Sequence, residues 1–72
     1  SKYREEIMYM LFVSKYQMAV NSVEDKKVER YNNAREEYYY FADEYPNSRY
    51  AADVKKMYED IEAYLENYKF ED

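Results

Sequence analysis

The sequence predicts an all-α fold of three antiparallel helices in one domain. Three observations carry this expectation. The chain has no glycine and a single proline, Pro46, so the interiors of the expected helices are uninterrupted. Polar breaks fall at Asn21-Ser22 and at Tyr45-Pro46-Asn47-Ser48. In the last third of the chain, apolar residues recur at spacings of three and four.

The first helix is expected over residues 2–21. Its run Ile7-Met8-Tyr9-Met10-Leu11-Phe12-Val13 is apolar around the whole circumference, as in a helix buried on most sides. Two companion helices cannot cover all of it. Part of the run should therefore remain exposed, and an exposed apolar patch on a small protein marks an interface. Ser22 is expected to cap the second helix, with Asp25 beside the positive end of its dipole. That helix is expected over residues 23–44. Tyr38, Tyr39, Tyr40 and Phe41 step around its axis by about 100° each, so no single groove can bury all of them. Either the helix touches neighbours on two sides, or some of the tyrosine hydroxyls face solvent. Pro46 disfavours helical geometry at Tyr45 and ends the helix there.

Asn47 or Ser48 is expected to cap the third helix, over residues 48–68. Tyr50, Ala51, Val54, Met57, Tyr58, Ile61, Leu65 and Tyr68 make its apolar face. Asp53, Lys55, Lys56, Glu59, Asp60, Glu62 and Glu66 make the opposite one. One side is built for burial and the other for water.

With 72 residues the chain holds one domain, here residues 1–72. A core of this size rarely supplies more than about 3–5 kcal/mol. Aromatic rings compensate: 12 tyrosines and 3 phenylalanines each bring a large apolar area. The net charge of -5 argues against nucleic acid as a partner, because no basic face is available to neutralise phosphates. The longest apolar run, Ile7 to Val13, is too short to cross a bilayer, so direct membrane insertion is not expected.

No catalytic, cofactor or metal site is expected. The chain has neither histidine nor cysteine, which removes the nucleophilic triads, the usual zinc sites and the Glu-x-x-His pairs of a di-iron bundle. Carboxylates recur, as at Glu5-Glu6, Glu36-Glu37 and Glu59-Asp60, but an acid pair needs a cleft that three short helices rarely make. They read as a solvated surface. The expected functional residues are therefore interfacial: Ile7, Met8, Leu11 and Phe12 on the first helix, and Tyr39 and Tyr40 on the second. Rigid rings with a polar tip suit such surfaces.

The junction between the second and third helices resembles a tetratricopeptide repeat. Ala34-x3-Tyr38 followed by Pro46 fits the A-x3-F…P pattern of the repeat's second helix, with Tyr in place of Phe. The resemblance implies a helical hairpin plus one further helix. Arg35 departs from it, standing where such repeats usually carry an apolar residue. The stretches MAVNSVEDKKVERYNNA (18–34), EEYYYF (36–41) and EYPNS (44–48) carry a more specific likeness. The chain resembles the outer-membrane β-barrel assembly lipoprotein family (BamD/YfiO) in its Bacteroidetes-like form, over nearly its whole length.

That resemblance implies a non-enzymatic scaffold on the periplasmic side of the outer membrane, with barrel-assembly components as partners. The chain carries no secretory signal and no lipidated cysteine, so taken alone it is expected to be soluble. Self-association is the other expectation for its exposed face. An engineered helical module derived from such a repeat, with no native partner, is the alternative reading.

Overall fold

The computed structural model describes residues 2–70 and is all-α, with α1 at Lys2–Val20, α2 at Glu24–Glu44 and α3 at Ala51–Phe70. Ser1, Glu71 and Asp72 of the expected domain lie outside the described residues. Among the described residues there is no strand. Successive helices are antiparallel, so α1 and α3 run in the same direction on either side of α2.

The helix ends follow local chemistry. Ser22 does not cap α2. Its Oγ donates to the carbonyl of Met18 and accepts from Arg30 Nη1 at 2.9 Å, so it closes the end of α1 instead. Val23 takes the N-cap position in an extended conformation and offers no side-chain acceptor. Glu24 and Asp25 still occupy the first turn of α2, where the dipole favours them. At the other end, the Tyr45 N–H reaches the Phe41 carbonyl at 2.8 Å, and Pro46 allows no further turn.

Ser48 caps the next element as expected, with Oγ accepting the Tyr50 N–H at 3.0 Å. Its carbonyl accepts from Ala51 N–H at 3.0 Å, a tight turn of three residues rather than four. This is why α3 begins at Ala51 and not at Ser48.

The core is one layer of side chains. Phe12, Ala19, Tyr31, Ala34, Phe41, Val54, Ile61 and Leu65 are its buried members. Ala19 and Ala34 are fully enclosed. Stacked tyrosines tie the helices together. Tyr38 stacks on Tyr58 with centroids 4.1 Å apart, and Tyr31 on Tyr64 at 4.3 Å, across the α2–α3 seam. Tyr9 of α1 stacks at 4.0 Å on Tyr50, just ahead of α3. Such pairs add roughly 0.5–1.5 kcal/mol each beyond the area they bury. Arg35 is not stranded on the surface. Its guanidinium bridges to Glu62 Oε1 of α3 at 3.0 Å and to Asn32 Oδ1 at 2.6 Å.

The Cα trace measures 43 × 18 × 15 Å. A helix with its side chains is about 10–12 Å across, so a body this thin cannot enclose any helix on all sides. The run Ile7 to Val13 must therefore divide between a buried and an open side.

A candidate protein-docking face on the first helix

The division follows helical geometry. Phe12 and Ala19 point into the core, and Met8, Tyr9, Val13 and Tyr16 pack against it. The opposite side carries Tyr3, Ile7, Met10, Leu11, Ser14 and Met18, all exposed. Ile7 is 62% exposed, Met10 64% and Leu11 41%, whereas Phe12 is 0%.

The six expected interface residues therefore do not form one surface. Ile7 and Leu11 lie on the outward face. Phe12 does not belong with them: it is fully enclosed, its ring 6.1 Å from that of Tyr38. Met8 is likewise turned inward, four residues before Phe12 and on the same side of the helix. Tyr3, Met10 and Met18 belong to the outward face and are absent from the sequence-based set. Their signal was the spacing of three and four from Ile7.

Tyr39 and Tyr40 are half exposed but separated by the turn of α2. The Tyr40 hydroxyl accepts from Arg4 Nη2 at 3.3 Å and lies at the rim of the α1 face. The Tyr39 hydroxyl meets that of Tyr58 at 3.3 Å, on the α3 side.

The outward face is also depleted of charge. From Ile7 to Val20, Lys15 is the only ionised residue, in a chain that is 38% charged. Lys15 is held aside by Glu37 Oε1 of α2 at 2.9 Å. An exposed, contiguous apolar stripe without charges has the composition of an interface centre rather than of ordinary surface.

The polar clusters elsewhere make contacts between the helices. An open hollow of about 540 Å³ lies between the start of α1 and the α2–α3 turn, lined by Glu5, Glu6, Arg49 and Tyr50 among others. Glu6 accepts from Arg49 Nη2 at 3.3 Å and from the Tyr50 hydroxyl at 3.3 Å. Glu5 accepts from the Ser48 hydroxyl. These carboxylates tie the start of α1 to the α2–α3 turn. Among the described residues, no group of three or more Asp and Glu is placed to hold a metal ion.

The shifted tyrosines are structural too. Burial, then the 2.6 Å hydrogen bond to Asp60, pushes the Tyr16 hydroxyl up to about 12. The bond with Tyr39, then burial, pushes Tyr58 up to about 12. Burial raises Tyr31 and Tyr64 as well. All four stay protonated at neutral pH; Tyr16 donates to Asp60 and Tyr64 to Glu24.

The family model described as "YfiO: Outer membrane lipoprotein" matches residues 1–71. The chain belongs to this family. No curated protein and no solved structure matches it. Among the described residues of this outer membrane lipoprotein family member, no helix is long and apolar enough to cross a membrane. The apolar face of α1 is thus not a spanning segment.

Proposed function

We propose that the chain is a protein-interaction scaffold, a repeat-like segment that works by docking a protein within the assembly of outer-membrane β-barrels. It acts by binding and carries out no chemistry of its own. The observation that carries this reading is the charge-free outward face of α1, set in a chain whose family is one of outer membrane lipoproteins. The docking residues are Tyr3, Ile7, Met10, Leu11 and Met18, with Tyr40 at the rim. A partner would bury the exposed methylene and ring surface of this face, at roughly 25 cal/mol per Å² of apolar area.

The test is association of the protein with barrel-assembly components from its own envelope. Ile7→Glu combined with Met10→Glu should abolish that association while helicity and melting temperature are retained. Glu59→Lys on α3 should leave it unchanged. Association that survives the double variant, or is lost equally with Glu59→Lys, would remove the assignment.

A further inference from the structure

We infer that the occupant of the outward face of α1 is a helical segment of a protein partner, apolar along one side and edged with lysine or arginine. This rests on the reading of α1 as a docking face and names the chemistry of what docks there. The ground is a row of unpaired acids beside the apolar stripe. Between residues 29 and 44, the exposed charges of α2 are Glu29, Glu36, Asp43 and Glu44, all acidic; Lys26, near the start of the helix, is its exposed cation. Glu29, Glu36 and Asp43 stand at equal intervals along the chain, and at about 100° per residue they fall within about 40° of one another. They also lie within about 60° of Tyr40, whose hydroxyl meets Arg4 of α1. None of the three forms an ion pair with another described residue.

The row and the stripe run side by side and match in length. At 1.5 Å per residue, Tyr3 to Met18 spans about 22 Å and Glu29 to Asp43 about 21 Å. Packed helices lie about 8–10 Å apart, axis to axis. One helix resting on Ile7, Leu11 and Met18 therefore brings the long stem of a lysine or arginine over the row. Arg4 and Lys15 stand between stripe and row, where Tyr40 at 3.3 Å and Glu37 at 2.9 Å already engage them. They leave the outer acids unanswered.

The other edge of α1 makes no such demand. Towards α3 and the turn before it, Glu6 accepts from Arg49 and Tyr50, and Asp60 accepts from Tyr16 at 2.6 Å. α3 itself interleaves Lys55 and Lys56 with its exposed acids. An apolar centre with an unmet charged rim on one side fixes which way a partner lies, because the reverse placement sets its cations over the wrong edge. Such rim charges govern partner choice and encounter rate more than affinity. An anionic lipid surface would meet the same acids as like charges, which makes it a poor occupant.

The probes are two synthetic peptides of about 20 residues, long enough to cover the stripe as a helix. Both carry the same leucine face. Along one edge, spaced as Glu29, Glu36 and Asp43 are, one has lysine and the other glutamate. The unaltered protein should bind the lysine-edged peptide at least about tenfold more tightly. Glu29→Lys, Glu36→Lys and Asp43→Lys combined should reverse that preference. Asp53→Lys, Glu59→Lys and Glu66→Lys combined, on α3, should keep it; circular dichroism checks that both variants stay helical. The two triple variants change the net charge equally, so a general attraction between an acidic protein and a basic peptide would respond to both alike. That response, equal binding of the two peptides, or no binding of either at about 1 mM would overturn the basic edge. A dimer in sedimentation that neither peptide displaces would put a second copy on the face and overturn it as well. Each of these results leaves the docking face to its own test, association with the assembly components.

Discussion

α1 and α3 occupy similar places and have opposite surfaces. They run in the same direction on either side of α2, with 19 and 20 residues. Each gives one side to the same core, Phe12 and Ala19 from α1, and Val54, Ile61 and Leu65 from α3. Turned away from the core, α3 shows Asp53, Lys55, Lys56, Glu59, Asp60 and Glu66 to water. α1 shows Tyr3, Ile7, Met10, Leu11 and Met18. The three-helix packing needs only one side of each flanking helix, so folding alone places no demand on the other. Apolar residues on a side that folding does not require point to a second task, which we propose is docking.

The largest test of this division compares the two sides of α1 itself. Phe12→Ala should cost about 3–5 kcal/mol, enough to unfold a domain this small, whereas Ile7→Ala should stay within about 0.5 kcal/mol. Urea titration followed by circular dichroism measures both. Equal losses would mean that the outward side is part of the fold and would erase the contrast. Ala34→Leu comes next. It forces a larger side chain into a fully enclosed core position and should cost about 1–3 kcal/mol.

A smaller effect appears in alkali. Tyr16 and Tyr58 have folded-state values of about 12, above the ordinary value of 10. The folded protein thus holds protons that the unfolded chain gives up. Their contribution is fully present below about pH 10 and is lost as pH rises toward about 12. The melting temperature should fall across that window, and Tyr16→Phe should flatten the fall. The smallest effect belongs to Arg35→Ala, which removes the half-exposed bridge to Glu62 and should cost about 0.2–1 kcal/mol.

Much of the fold was legible because its stops are chemically distinct. Pro46 ends α2, Ser48 caps the following turn, and helix three alternates apolar and charged residues clearly enough to show which side is buried. The inward and outward sides of α1 were not legible in the same way. Ile7 to Val13 are all apolar, so the sequence there offers periodicity without contrast. Only the positions of α2 and α3 select Met8 and Phe12 for the core and leave Ile7, Met10 and Leu11 outside. Tyr39 and Tyr40 part company for a related reason. Neighbours in sequence stand about 100° apart on a helix and reach different surfaces. Ser22 stood in a connection short enough to serve either adjoining helix end, and Arg30 and the Met18 carbonyl decide in favour of α1.

Site-specific photo-cross-linking in the native envelope tests the central claim most directly. A photoreactive side chain is placed at Met10 on α1 or at Glu59 on α3, both exposed positions. The account predicts discrete protein adducts from position 10 and none from position 59. Adducts from position 59 with none from position 10 would contradict it.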